Sequence, residues 1–405
     1  MLTVSEAKGI ILPAARPRAE ITAPLAEALD CVLAQDVAST INLPMWDNSS
    51  VDGYAVRAAD VSEANENNPI HLRVTAAVPA GTTAKAAIEP QACARIFTGA
   101  PIPDGADAVV MQEDTHPHHE GYIAVTESAE PGENIRRAGD DVKTGEVVLR
   151  AGTLLGPPQL GLAAALGLTQ LAVRPRPRVG VLVTGAEIVE PGRSLRAGQI
   201  YDANSYALSA FVKQAGCELV ELGIADDTRE DLHEKIDYGL SECDVVITVG
   251  GVSVGEHDLV KDVLAELGCD QKFWKIAMRP GKPFVFGARE SKLVFGLPGN
   301  PVSAAVTFLM LVRPALQKMR GLTEIDLPTV TAEAAEDFVN SGDRLHYMRA
   351  SLQRDGEKWL VKPMPNQGSH AIASLAGADC LVEVPEVTTI SRGHSVRAVR
   401  ISGTE

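Results

Sequence analysis

Three glycine-bearing turns stand out in the 405-residue sequence as places where chemistry could gather. They are Thr184-Gly185-Ala186-Glu187 after VGVLV, the run from Gly250 to Asp258 (GGVSVGEHD) after DVVITV, and Leu297-Pro298-Gly299-Asn300-Pro301-Val302-Ser303. In open α/β sheets, ligands bind outside the carboxyl ends of the strands. Glycine lets a backbone approach such a ligand closely. In the third turn Asn300 is placed to cap the next helix, with Pro301 at its first position. The free N–H groups of such a helix start suit a phosphate. None of the turns is a nucleotide fingerprint, since GGVSVG has neither the spacing of G-x-G-x-x-G nor a P-loop lysine. Any one of them alone reads as a tight strand-to-helix turn; the three together, with carboxylates attached, favour a site.

Those carboxylates are Glu187, the pair Asp226-Asp227 and Asp258. If they converge beside phosphates, oxygen ligands of this kind hold a hard cation such as Mg²⁺. The competing reading has Asp226 and Asp227 merely opening the next helix, where its dipole favours negative charge. Lys272, Lys275, Arg279 and Lys282 form a basic cluster in QKFWKIAMRPGKPF, which reads as a rigid, non-helical loop suited to a compact oxyanion. A solvated surface patch is the alternative. His116, His118 and His119 in THPHHE resemble a metal ligand group, but a solvated polar loop is the better reading. Cys243 opens a buried strand and reads as a structural thiol.

The elements that must position these groups can be read from pattern and composition. Short apolar runs closed by glycine (VGVLVTG, CDVVITVGG, LVFGLPGN) alternate with helical patterns such as SYALSAFVKQAG and DLVKDVLAELG. That alternation implies a parallel sheet covered on both faces. Before it, residues 1–43 read as helical, with TAPLAEALD placing Leu25 and Leu29 on one face. Residues 44–139 read as β-rich, through RVTAAV, ARIFTG, DAVVMQ and GYIAVT. AGTLLGPPQLGLAAALGL then reads as a turn and an apolar helix begun by Pro157 and Pro158. It returns the chain to the first zone, so that residues 44–139 form an insertion, and RPRPR (Arg174–Arg178) is a linker. The chain turns β again after about residue 321.

The net charge of −16 argues against a nucleic-acid binder and makes any anionic substrate a local electrostatic problem. Six scattered cysteines without a C-x-x-C fit a reducing compartment. No secretory signal is visible and no apolar run approaches the roughly 20 residues of a membrane span, so a cytoplasmic protein is expected.

At full length the sequence resembles the molybdopterin molybdenumtransferases, the MoeA family that includes the E domain of gephyrin. NSSVDGYAVR, FTGAPIPDGADAVV, NIRRAGDDV, a TG-x-E turn, IYDANSYAL, GGVSVGEHD, MRPGKPFVFG, GLPGNPVSAAVTF and QGSH follow one another in that family's order. The resemblance implies four domains: a helical piece (1–43 and 140–173), an inserted β-rich domain (44–139), a doubly wound α/β domain (174–321) and a C-terminal β barrel (322–405). It implies a homodimer whose sites are shared between subunits. The reaction would take adenylylated molybdopterin and molybdate, release AMP, and leave molybdenum on the dithiolene.

By the same resemblance Glu187, Asp226 and Asp258 hold a divalent cation, Mg²⁺ or another, and Asp52, Thr98 and Asp141, from the insertion region of the other subunit, complete the catalytic set. Thr184, Gly250, Gly251, Ser253, Gly255, Pro298, Asn300 and Pro301 cradle the pterin phosphate. Lys275, Arg279, Lys282, Arg349 and Ser369 bind molybdate. Two positions depart from the family's habit: Ala186 stands where an aspartate is usual, and Arg279 where a lysine is, exchanging a point charge for a fork. Two other readings stay open. One is a scaffold like the gephyrin E domain, which a stoichiometric partner without AMP release would favour. The other is the adenylyltransferase of the preceding step, itself a possible partner, which formation of adenylylated pterin from ATP would favour.

Overall fold

The computed structural model describes residues 1–251 and 259–401. The chain divides into two compact units, one comprising Met1–Ala34, Gly152–Pro157 and Gln170–Glu405, the other Gln35–Ala151 and Pro158–Thr169.

The first unit opens with the helix Val4–Ala14. A capping box starts it: the Glu6 N–H donates to the Thr3 hydroxyl at 3.2 Å, and the Thr3 N–H to the Glu6 carboxylate at 2.8 Å. The expected helix around Leu25 and Leu29 does not form. Instead Ile21–Pro24 is a strand pairing antiparallel with Gln170–Arg174, and Leu25–Glu27 is a single 3₁₀ turn. Pro24 disfavours the helical region for Ala23, and Leu29 is left 47% exposed, so the apolar stripe had nothing to pack against.

The α/β sheet has the strand order Glu218–Ala225, Arg178–Thr184, Val245–Val249, Lys292–Leu297, Pro283–Arg289, Asp270–Lys275. The first four strands are parallel, as the two-sided apolar pattern of the inner three predicts; Glu218–Ala225 is the half-exposed edge. Val179, Val181 and Val183 enter one core with Val245, Ile247 and Val249, whereas Leu182 and Val246 enter a second core on the opposite face. Each of these aliphatic side chains contributes about 1.5–3 kcal/mol when fully buried. The last two strands are antiparallel. They correct the reading of QKFWK as loop: Phe273 is buried between exposed Lys272 and Trp274, a period of two that marks an edge strand.

The helix that begins at Pro301 runs to Arg320 and passes through a π turn at Phe308–Val312. Pro314, which lacks an N–H, follows that turn and explains it. Beyond residue 321 the strands Leu345–Asp355, Lys358–Pro363, Thr329–Ala334, Ser395–Arg400 and Cys380–Val384 pair in a ring that closes on itself, a five-stranded barrel.

The second unit is built on a six-stranded sheet in the order Ala108–Met111, Gly53–Val56, Ala92–Ile96, Ile70–Val78, Tyr122–Val125, Thr115–Pro117. Every β run read from the sequence of this region falls on one of these strands. Its two faces carry separate cores, one around Val56, Leu72 and Val110, the other around Ala55, Ile96 and Val109. The helix Pro157–Ala165 begins on its two prolines. All six cysteines are buried and unpaired. Burial pushes the Cys243 thiol up to about 11 and the Cys93 thiol to about 12, so neither supplies a thiolate. Among the described residues no helix is long and apolar enough to cross a membrane.

Candidate active site

The carboxyl ends of Arg178–Thr184, Val245–Val249 and Lys292–Leu297 open into a cleft of about 870 Å³. Thr184, Gly250, Gly251, Pro298, Asn300 and Pro301 from the expected pterin-phosphate set all line it, as does Glu187. Ser253, Gly255 and Asp258 lie outside the described residues. Gly250 and Gly251 both take positive φ, 88° and 65°, and a Cβ on Gly250 would stand 2.6 Å from the Thr184 carbonyl oxygen. Only glycine lets these two strand ends come so close. The Thr184 hydroxyl is buried in the cleft wall and has no hydrogen-bond partner among the described residues. A buried unpaired hydroxyl costs about 1–3 kcal/mol, which a polar ligand would recover.

Asn300 occupies the N-cap position with Pro301 behind it, yet its side chain makes no capping bond. It reaches instead to the C-terminal region, where its amide donates to the Ser369 hydroxyl at 3.2 Å. The Val302 N–H donates to the Ser369 carbonyl at 3.2 Å, so the segment around Ser369 supplies the acceptor at this helix start. His370 follows on the cleft wall. On the other side, the Asn204 amide donates to the Gly299 carbonyl at 2.8 Å, and Asp202 accepts the Ser205 N–H at 2.9 Å. Asp202 and Asn204 stand in IYDANSYAL and His370 in QGSH, where sequence pattern assigns them no role; their burial or cleft position singles them out.

The carboxylates are arranged differently from the expected metal set. Asp227, not Asp226, lines the cleft. Its carboxylate accepts the Ala186 N–H at 3.1 Å, tying the turn that carries Glu187 to the neighbouring strand end. Asp226 is exposed, and its N–H donates to Asp231. Among the described residues no three His, Cys, Asp or Glu groups gather to hold a metal ion. Glu187 and Asp227 offer oxygen donors of the kind a hard cation takes, and a third donor would have to come from outside the described segment.

The basic groups divide into two kinds. Lys272 is paired with Asp270 and so is not free for an anion. Lys275 is half-buried, Arg279 and Lys282 are exposed, and among the described residues none of the three makes an ion pair. Arg349 is fully buried. Its Nε donates to the Ser374 hydroxyl at 3.0 Å, and its Nη2 to the carbonyls of Asn366 and Gly368 at 2.8 and 3.2 Å. It therefore sets the backbone that leads to Ser369, with only Nη1 left unpartnered. Burial pushes its guanidinium down. His346 is buried nearby in sequence with neither ring nitrogen paired. Desolvation, then Arg279, Arg349 and Arg344, press it down to about 4, so it is neutral at physiological pH.

In the second unit Asp52 and Thr98, 46 residues apart, are in direct contact. Asp141 stands exposed on a turn, its N–H donating to the Leu43 carbonyl at 3.0 Å. The histidine segment is exposed as expected, with a fourth histidine added: His71 stacks on His118 with ring centroids 3.8 Å apart.

The MoeA N-terminal region (domain I and II) matches residues 2–167, the probable molybdopterin binding domain matches residues 180–318, and the MoeA C-terminal region (domain IV) matches residues 331–400. The molybdopterin molybdenumtransferase of Haemophilus influenzae is 39% identical over 92% of this chain and 91% of its own. Molybdopterin molybdenumtransferase 2 of Mycobacterium tuberculosis is 39% identical over 98% of this chain and 99% of its own. The crystal structure of the molybdopterin biosynthesis MoeA protein of Pyrococcus horikoshii superposes with a TM-score of 0.84 at 34% identity, covering 100% of both chains. The order of motifs, the closed barrel, the α/β cleft and these full-length likenesses agree: the chain belongs to the MoeA family of molybdopterin molybdenumtransferases.

Proposed function

We propose that the chain is a molybdenum-transferring enzyme of molybdenum cofactor biosynthesis. It takes adenylylated molybdopterin and molybdate, cleaves the phosphoanhydride with release of AMP, and leaves molybdenum on the dithiolene. The observation that carries this reading is the cleft itself. A paired-glycine turn, an unpartnered Thr184 hydroxyl and the helix start at Asn300-Pro301 line one cavity, in a chain alike over nearly its whole length to proteins named for that activity. Both substrates are anions, so charge neutralisation and fixed donors are what such a site must supply.

In this reading the Gly250-Gly251 turn, the unpartnered Thr184 hydroxyl and the helix start at Asn300-Pro301 hold the phosphate end. Lys275, Arg279 and Lys282 draw molybdate in, with Ser369 held in place by Arg349 and Asn300. Mg²⁺ would be held by Glu187, by a member of the Asp226-Asp227 pair and by Asp258, and when bound it would neutralise phosphate charge. Asp52, Thr98 and Asp141 complete the catalytic set. Ala186 contributes through its backbone N–H to Asp227, which supports retention of activity without the family's usual aspartate. The enzyme works as a cytoplasmic homodimer of four-domain subunits and receives its substrate from the adenylyltransferase.

The test is AMP release from adenylylated molybdopterin by the purified chain. Release that requires both molybdate and Mg²⁺, and that is lost in Asp258→Ala with the fold intact, is the expected result. Formation of adenylylated pterin from ATP, or no release at all, would overturn the reading.

A further inference from the structure

The sheet of the second unit carries a group of side chains that the reading above does not use. Tyr54 and Arg95 are register partners across the strands Gly53–Val56 and Ala92–Ile96. The Arg95 guanidinium carbon lies 5.0 Å from the Tyr54 ring centroid and 5.1 Å from that of Phe97. A guanidinium within about 6 Å of a ring centroid is attracted by the ring's negative face. Here one guanidinium serves two rings and is fixed at both ends. Its Nη1 donates to the Gly53 carbonyl at 3.2 Å, and its Nη2 to the Gln112 side-chain carbonyl. All three side chains are half-buried, so part of each still faces outward. Among the described residues Arg95 forms no ion pair, and the Asp52 carboxylate is near enough for the guanidinium to favour its charged form.

The position of this group matters as much as its make-up. Asp52 immediately precedes the Gly53–Val56 strand, and Thr98 immediately follows Phe97. The Asp52–Thr98 contact and the Tyr54–Arg95–Phe97 group therefore share one end of one sheet. A flat, cationic, aromatic surface binds planar heteroaromatic rings by stacking. The exposed Gln112 amide adds a polar edge beside it.

We propose that Tyr54, Arg95 and Phe97 form a stacking platform for a planar heteroaromatic ring of the substrate, next to the Asp52–Thr98 pair. The proposal rests on the molybdenum-transfer reading, in which the substrate carries two such rings, the pterin and the adenine. Either ring supplies the chemistry the platform recognises.

The experiment uses the full-length protein and two probes, free pterin followed by its fluorescence and AMP followed by calorimetry. Arg95→Met and Phe97→Leu are compared with wild type after each is shown to melt cooperatively. The expected result is that both variants weaken binding of one ring about tenfold, as loss of a stacking partner does. Weaker pterin binding with unchanged AMP binding assigns the platform to the pterin; the converse assigns it to the adenine. Wild-type affinity for both rings in the variants, or no binding of either ring by wild type, overturns the platform. If Arg95→Met does not fold, Phe97→Leu decides alone, because it keeps apolar bulk while removing the ring. Molybdate-dependent AMP release by wild type is measured first. Its absence defeats the activity reading; its presence with unaltered ring binding defeats the platform only.

Discussion

Asp52 takes two hydrogen bonds from a single residue: the Thr98 N–H and the Thr98 hydroxyl each reach its Oδ1 at 2.8 Å. The N–H is the larger influence and the hydroxyl the next, and together they hold the Asp52 carboxyl below its ordinary value. The charged form is thus favoured, and in the proposed reaction Asp52 would act as an acceptor or base, not as an acid. Asp52→Asn keeps the shape and should lower AMP release by about 100-fold or more, the scale of general-base catalysis. Thr98→Val keeps the N–H but removes the hydroxyl, so the Asp52 pKa should rise. The acid limb of the pH–rate profile should then move to higher pH. An unmoved acid limb in Thr98→Val, in an otherwise active enzyme, would remove Asp52 from the reaction.

Asn300 stands at an N-cap and does not cap. Replacing a functioning N-cap residue by alanine costs about 1 kcal/mol. Asn300→Ala should cost clearly less, because the bond it loses is the one to Ser369. Its effect should appear in substrate affinity, with a raised KM for adenylylated molybdopterin or for molybdate. Thermal melting beside steady-state AMP release separates the two, and a large drop in Tm with unchanged KM would restore the capping role.

Much of this molecule is legible in its sequence, for physical reasons that also explain the failures. Two-sided apolar runs such as VGVLV, closed by glycine and alternating with helical patterns, read as strands buried on both faces, and their ends carry Thr184, Gly250 and Pro298 to the cleft. The β runs of the second unit are short and bounded by turn residues, so their type is clear even though their pairing is not. What local pattern does not encode is the choice among alternatives decided at long range. The run around Leu25 is compatible with a helix until Gln170–Arg174 arrives to pair with it. Asn300 is a good cap in isolation, but Ser369 competes for its amide. Arg349 is an anion ligand only by the family resemblance; its burial and its bonds to Ser374 and two backbone carbonyls show that most of its fork is spent inside the protein.

Gly216 and Arg320 form another such long-range dependence. Gly216 takes φ 72°, and a Cβ there would lie 2.4–2.6 Å from the Arg320 guanidinium atoms. That guanidinium is buried and cannot simply swing away. Its Nη1 donates to the Ala215 carbonyl and its Nη2 to the Asp30 carbonyl, each at 2.9 Å. Gly216→Ala combines left-handed backbone strain with displacement of these bonds and should cost about 2 kcal/mol of stability. Urea unfolding should show a lower midpoint, with AMP release per folded molecule unchanged well below that midpoint. A midpoint like that of wild type would mean that Arg320 can relocate at little cost.

His346 predicts how stability depends on pH. Its imidazole is pressed from the ordinary 6.5 to about 4, first by burial and then by Arg279, Arg349 and Arg344. The unfolded chain takes up a proton as pH falls through about 6.5, whereas the folded protein resists until about 4. Over that window the unfolded state binds more protons, so stability falls as pH falls. The contribution is whole above pH 6.5, drops by about 2 kcal/mol at pH 5, and by about 3 kcal/mol once pH reaches 4. His346→Leu removes the titration, and its unfolding free energy should vary less between pH 7 and pH 5 than that of wild type. Equal slopes in the two proteins would show that His346 is protonated as readily folded as unfolded.

The pair Asp226-Asp227 offers the sharpest test of what the structure adds to the sequence. Both carboxylates follow the strand Glu218–Ala225, and sequence pattern alone cannot rank them. Asp227 lines the cleft and accepts the Ala186 N–H at 3.1 Å, whereas Asp226 is exposed and donates its own N–H to Asp231. If Asp227 orients the turn that bears Glu187 and supplies a cation ligand, Asp227→Asn should raise the Mg²⁺ concentration for half-maximal AMP release about tenfold or more. Losing one charged oxygen from a hard-cation site has that consequence. Asp226→Asn should leave the requirement within about twofold, the range of most exposed substitutions. Titrating Mg²⁺ against AMP release in the two variants reads out the difference directly. The opposite ranking would return Asp226 to the metal set and leave Asp227 as a tie between turns.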